Sequence, residues 1–197
     1  MTPASTAYLI REYACRGAVL FSNSKTLFSG YFNPSVEQHA SMYFGPSLVS
    51  FLVSRRIPFP LAGLDDATAY VIEFNTEGMR AVPLDAFIAS RVSVKVYYYT
   101  EACMPASEVM SLAAAFAFDE LDKRYGLGDS ASYCFKMVAH CYARAGVPIA
   151  TETLLGKDVV LSQSFTQDAR WLRVYDSLTG LSLLPWRGDY LEWRLDG

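Results

Sequence analysis

A thiol, an imidazole and a carboxylate are scattered along this chain of 197 residues, and each sits where its chemistry could be put to use. Cys134 falls in the first turn of a predicted helix, after the Gly- and Ser-rich approach GLGDSAS. A helix N-terminus carries partial positive charge and unpaired N–H groups. These favour the reactive thiolate and could hold an oxyanion during acyl transfer. The alternative is a small apolar residue buried on the helix face with Met137, Val138 and Cys141, and position alone leans slightly towards it.

A thiolate nucleophile needs a base, and the chain offers two histidines. His140 lies six positions after Cys134 on the same predicted helix, about 240° round the axis. The two side chains therefore face apart, and His140 reads as an exposed or rim group. His39 is distant in sequence, which allows proximity in the fold. It opens a predicted strand in phase with Ser41 and Tyr43, a position that an ordinary surface histidine would also fit. Glu73 interrupts the apolar strand AYVIEF, where a carboxylate is costly unless paired. A neighbouring imidazole N–H would pair it and fix the ring's tautomer. The wet face of a one-sided sheet would serve equally well, and the pattern does not separate the two.

The elements that must position these groups alternate along the chain. GAVLF, Gly17 to Phe21, is a short apolar run that reads as a buried strand, and Ser22 to Gln38 reads as loop with at most one short helix. HASMYF, His39 to Phe44, alternates and ends at Gly45-Pro46. Residues from about 45 to 68 are irregular: Pro58 and Pro60 forbid one long helix, so the segment is an excursion from the sheet. Ala69 to Phe74 and Met79 to Val82 form a hairpin about Thr76-Glu77-Gly78. A short helix over Pro83 to Ser90 precedes the clearest strand, VSVKVYYYT, from Val92 to Thr100. Two helices follow, from about Ala106 to Tyr125 and from about Tyr133 to Ala145, the second with Ser132 as its cap. Further strands are predicted at Trp171 to Tyr175 and near Leu181 to Leu184. The class is α+β, a mostly antiparallel sheet packed against helices.

Composition narrows the functions. Apolar residues are 52% of the chain and aromatics 14%, enough for a dense core in one domain spanning residues 1–197. The net charge is −3 and the longest basic cluster is Arg55-Arg56, which argues against a nucleic-acid partner. MTPASTAYLIREYACRGAVLF has no basic n-region, and Arg11 and Glu12 interrupt its apolar run, so no cleavable signal peptide is expected. No stretch approaches the roughly 20 apolar residues that span a bilayer. The expectation is a soluble protein, cytoplasmic when synthesised, with export by a signal-independent route still open. Cys15, Cys103, Cys134 and Cys141 include no CxxC pair, so reduced thiols are expected and a metal site is not.

Taken together, three segments resemble a known family. GAVLFSNSKTLFSGYFNPSVEQHASMYFG is similar to the opening of the permuted NlpC/P60 group of papain-like proteins, the YiiX-like branch. AYVIEFNTEGMRAVPLDAFI resembles that group's Val-Ile-Glu-Ala strand, glycine turn and following helix. YGLGDSASYCFKMVAHCYARAGV resembles its nucleophile segment, in which Tyr-Cys opens a helix ending in Ala-Gly. The order His, Glu, Cys is the permuted order. The resemblance implies a papain-like fold with Cys134 as nucleophile, His39 as base and Glu73 as the group orienting it, flanked by Tyr43 and Tyr133 as substrate-binding walls. Ala18, Ser41, Phe135 and Lys136 depart from the family pattern, which bears on oxyanion geometry and specificity.

The activity so implied is acyl transfer without metal or organic cofactor, on amide bonds such as those of peptidoglycan peptides, as a bacterial cell-wall hydrolase or antibacterial effector with a cognate inhibitor protein as partner. Two rivals stand beside it. One is a lipid acyl hydrolase or acyltransferase on the same triad, with the excursion Pro46 to Leu61 as lid or, more simply, as a buried cap. The other is a catalytically inactive papain-like domain used for binding, with an aromatic tail of Trp171, Trp186, Tyr190 and Trp193 as one interaction surface.

Overall fold

A computed structural model describes residues 2–24, 34–101, 105–126 and 130–182. Its first helix, α1 (Pro3–Tyr13), is one that the sequence reading passed over. Thr2 caps it by accepting from the Ser5 amide, and Pro3 takes an opening position where a missing N–H costs nothing. Strand β1 (Val19–Ser24) follows, then β2 (His39–Gly45), helix α2 (Leu48–Ser54), the hairpin of β3 (Tyr70–Asn75) and β4 (Gly78–Pro83), helix α3 (Leu84–Ala89) and strand β5 (Arg91–Tyr99). Helix α4 (Ala106–Phe116) runs into a 3-10 turn at Ala117–Glu120. Two short strands, β6 (Arg124–Tyr125) and β7 (Ala131–Ser132), pair in parallel just before α5 (Cys134–Arg144). The hairpin β8 (Glu152–Leu154) and β9 (Lys157–Val159), the short helix α6 (Gln163–Thr166), β10 (Trp171–Asp176) and β11 (Leu181–Ser182) complete the described chain.

Seven strands form one sheet in the order β11-β10-β5-β1-β2-β3-β4, and every neighbouring pair is antiparallel. Its central strand β1 is buried over Val19 to Phe21, as a strand covered on both faces must be. Strand β5 shows which helices cover which face. The Tyr99 ring lies 6.4 Å from Tyr142 of α5. The Tyr98 hydroxyl accepts from the Cys15 amide at 3.0 Å and donates to the Tyr13 carbonyl at 3.1 Å, at the end of α1. Consecutive strand residues point to opposite faces, so α1 and α5 sandwich the sheet.

Several expectations are corrected. The helix expected to reach Tyr125 stops at Phe116, because the 3-10 turn swings Phe118 into a cluster with Phe44, Phe51 and Phe59 at 5.6–5.9 Å between ring centroids. The Tyr133 backbone, not Ser132, caps α5; Ser132 is buried in β7. The excursion after Gly45 contains α2, whose Leu48 and Leu52 are buried and whose Phe51 joins the Phe118 cluster, so it caps the core. Of the expected loop before His39, Ser22–Ser24 belong to β1, residues 34–38 are irregular and residues 25–33 lie outside the described residues. Cys103, Leu183, Leu184 and the tail aromatics Trp186, Tyr190 and Trp193 also lie outside them, while Trp171 is buried against Tyr142 and Phe165.

Gly17 ties three of these elements together. Its amide donates to the Tyr43 carbonyl and its own carbonyl accepts from the Tyr142 hydroxyl, each at 2.7 Å. Its φ is +88°, and a Cβ there would stand 1.8 Å from the Met110 carbonyl oxygen. Backbone cannot yield as a flexible side chain does, and the left-handed conformation adds strain for any residue with a Cβ. Gly17→Ala should therefore destabilise the fold by roughly 3 kcal/mol or more, read as a lowered urea midpoint with an unchanged slope. A variant with wild-type stability would contradict this account.

Candidate active site

The site forms where four strands and one helix meet at the end of the sheet. His39 is the first residue of β2 and is 15% exposed at its side chain. Glu73 lies on the neighbouring strand β3 and is 1% exposed, which removes the wet-face reading of that residue. A carboxylate this deep must be paired, and its two oxygens take four close contacts. Oε2 receives the His39 Nε2 at 2.9 Å and the Arg91 Nη2 at 2.7 Å. Oε1 receives the Arg80 Nε at 2.7 Å and Nη2 at 2.6 Å.

Arg80 is the direct cross-strand partner of Glu73 on β4. Arg91 opens β5, and its guanidinium stacks on the Phe87 ring of α3, 4.3 Å from the centroid. Sequence reading missed both arginines. Arg80 alone was within reach of it, through the register of the hairpin about Thr76-Glu77-Gly78. The convergence of Arg91 depends on how β5 joins the sheet.

Cys134 is the first residue of α5 and is 5% exposed. Its thiol is near enough to the His39 ring to act on the ring's ionisation. With Nε2 committed to Glu73, Nδ1 is the ring nitrogen left for the thiol. Burial opposes the charged form of His39, but the charge and hydrogen bond of Cys134, reinforced by those of Glu73, outweigh it and raise the ring to about 9. Burial likewise opposes ionisation of Glu73, yet His39 and the two arginines bring its carboxyl down to about 2.

The flanking tyrosines divide. Tyr133 immediately precedes Cys134, and its hydroxyl accepts from the Val160 amide at 2.6 Å and donates to the Val160 carbonyl at 3.2 Å. It thus anchors the approach to α5 against the end of β9, and burial and the nearby Cys134 raise its pKa. Tyr43 does not flank the reacting atoms. It lies four residues beyond His39, roughly 13 Å along an extended strand, where its hydroxyl donates to the Arg11 carbonyl at 3.4 Å and its ring packs on Gly45. Tyr125, which sequence reading did not single out, is half-exposed and stacks on Phe74 with centroids 6.4 Å apart. Burial and the charge of Cys134 raise its pKa.

His140 stands apart from this group, as its helical phase predicts. Its Nδ1 is 3.3 Å from the Lys123 Nζ and 3.5 Å from Glu120 Oε1. Burial opposes ionisation of Glu120, but contacts from His140, Lys123 and Ser132 hold its carboxyl at about 2.

Residues 13–175 match the family described as permuted papain-like amidase enzymes, YaeF/YiiX, C92 family. Protein OPG091 of vaccinia virus (strain Copenhagen) is 37% identical over 183 residues, covering 93% of this chain and 96% of the viral protein. Protein OPG091 of monkeypox virus is also 37% identical, and that of variola virus (isolate Human/India/Ind3/1967) is 36% identical, over the same shares. Among solved structures, YiiX from Escherichia coli O157:H7, described as a metalloprotein, superposes with a TM-score of 0.60 at 18% identity, covering 83% of this chain and 97% of that one.

The two shifted groups set opposite pH limits. His39 titrates near 9 in the fold against an ordinary value of about 6.5, so its stabilising contribution is full below 6.5 and lost as pH rises through 9. Glu73 titrates near 2 against about 4.5, so its contribution is full above 4.5 and lost as pH falls towards 2. Urea unfolding should show greatest stability between these limits. In Glu73→Gln the ring loses one anionic support while both arginines remain, so the alkaline limb should move to lower pH. An unmoved limb in that variant would show that Glu73 does not act on the ring.

Proposed function

The chain belongs to the permuted papain-like amidase family, and we propose that it hydrolyses amide bonds by acyl transfer with Cys134 as nucleophile, His39 as acid and base and Glu73 as the group that orients the ring. The observation that carries this reading is the environment of His39, hydrogen-bonded to buried Glu73 at 2.9 Å and raised in pKa by the nearby Cys134.

In the proposed reaction the Cys134 thiolate attacks the amide carbonyl carbon and the carbonyl oxygen becomes an oxyanion. The first amides of α5 are its binding site, since helix N-terminal N–H groups point along the axis towards that position. The Tyr133 side chain makes no capping bond across them. His39, protonated at neutral pH by virtue of its raised pKa, gives its proton to the leaving nitrogen as the C–N bond breaks. This leaves a thioester on Cys134 and a neutral ring. The ring then takes a proton from water, hydroxide attacks the thioester, and the carboxylic acid leaves as the thiolate–imidazolium pair is restored. Glu73 keeps the Nε2 proton on the far side of the ring throughout, with no proton transfer of its own.

The relative described as a metalloprotein raises the question of a metal. The residues here do not fit one: among the described residues no three His, Cys, Asp or Glu groups are arranged to hold an ion, and both Glu73 oxygens are committed to cations. No step is therefore routed through a metal. The sequence relatives are viral and the bacterial structure, at 18% identity, shares the fold alone, which lends no support to peptidoglycan or to a role between bacteria, so the substrate proposed is an amide of the peptide class. For a lipid substrate the excursion after Gly45 would serve as a lid; its Leu48, Leu52 and Phe51 are spent on the core, which leaves Val53 and Leu61 as its exposed large apolar side chains.

A panel of fluorogenic peptide amides tests the proposal. Cys134→Ala and His39→Ala should each lower turnover at least about 10³-fold while leaving the circular dichroism spectrum unchanged. Iodoacetamide should label Cys134 ahead of the buried Cys141 in the native protein, and full turnover in folded Cys134→Ala would refute the assignment.

A further inference from the structure

Glu73 is pulled from two sides, and only one of them favours the reaction. Arg80 stands directly across the ladder on β4, the edge strand, with its side chain 48% exposed and a second carboxylate, Glu77, 3.6 Å away. Both of its contacts with Glu73 fall on Oε1. Left to Arg80 alone, the carboxylate's best pairing draws it towards the exposed edge. Arg91 acts from the interior, with its side chain 13% exposed and its guanidinium plane held by stacking on buried Phe87. It takes Oε2, the same oxygen that meets His39. A stacked guanidinium is a pre-oriented fork that loses little freedom in binding a carboxylate.

We propose that Arg91 is a positioning residue of this site: it offsets the pull of Arg80 and holds Glu73 Oε2 against the His39 ring. The inference rests on the reading of His39 and Cys134 given above and adds a residue that meets the ring through Glu73, while its charge also reaches Cys134. Charge cannot account for such a role. Arg91 is a cation near an imidazole, and by charge alone it disfavours the protonated ring. The charge of Arg91 also reaches Cys134, so geometry and charge make opposite forecasts for its removal once Cys134 is replaced by Ala: charge alone then predicts a rise in the His39 midpoint and geometry a fall.

The test is an NMR titration of the His39 ring in the full chain, with the rate of Cys134 alkylation by iodoacetamide followed over the same pH range. In Arg91→Gln the His39 midpoint should fall from about 9 by the part that Glu73 supplies, with the Cys134 part retained, as Glu73 swings to Arg80, and the alkylation profile should move with it. Arg91→Lys, which restores a donor without the stacked fork, should recover part of the shift. Arg80→Gln should leave the midpoint unchanged or raise it. A midpoint that stays or rises in Arg91→Gln, or that falls equally in Arg80→Gln, overturns the proposal. Should Arg91→Gln fail to fold, the comparison of Arg91→Lys with Arg80→Gln decides: a lower midpoint in the lysine variant supports the proposal and the reverse order overturns it. Cys134→Ala is titrated alongside. A His39 midpoint unchanged in that variant would sink the nucleophile–base reading itself, whatever the arginines do.

Discussion

The constraint around which the site is organised is the burial of one negative charge. A carboxylate taken out of water loses several kcal/mol of solvation, and the loss is offset only by close, well-aligned partners. Glu73 has three, supplied by β2, β4 and β5. Each has to arrive with the correct strand register, because a slip of one residue would turn its side chain to the other face. The sheet order that sets β3 between β2 and β4, and the start of β5 at Arg91 just after α3, are what let them converge. The geometry of the His39–Glu73 site and sheet register are thus one requirement here.

The second layer of support comes from α5. Its first residue presents the thiol, and its last turns lock onto the body of the fold through Tyr142, whose hydroxyl bonds to Gly17 and whose ring packs on Trp171 at 4.7 Å. Phe135, next to Cys134, lies 6.0 Å from Phe21 of β1. The sulfur is held by residues one helical position away and by contacts two turns along, so its placement is a property of the core. Tyr133 fixes the approach through both polar groups of Val160. Such rigid supports serve a reaction that depends on near-attack geometry.

Much of this was legible in sequence, for identifiable reasons. AYVIEF and VSVKVYYYT are β-branched and aromatic enough to declare their strands, and Glu73 stood out because nothing else in its strand is charged. Family resemblance joined His39, Glu73 and Cys134, and the structure brings those three side chains together. What escaped depended on tertiary context. Arg91 follows a short helix, where arginine is commonplace, and its role appears only once β5 is in the sheet. The stop at Phe116 follows from an aromatic cluster assembled from residues 44 to 118. Tyr43 has the correct phase for the site but sits too far along its strand, a reminder that period two fixes a face and not a distance. Helix α1 could have been read, since Thr2-Pro3 is a cap followed by a helix-opening proline.

The chain order of the site has a consequence for biosynthesis. On a ribosome the His39 ring and the Glu73 carboxylate emerge first, and 94 residues separate His39 from Cys134. The sheet neighbourhood of β2, β3, β4 and β5 is therefore already made when the thiol-bearing helix appears. Contacts of such long range form slowly because loop closure precedes their reward. A nascent chain that stops short of Cys134 carries the ring and no sulfur beside it, so the thiol meets the imidazole only after the strands that hold that imidazole have been synthesised.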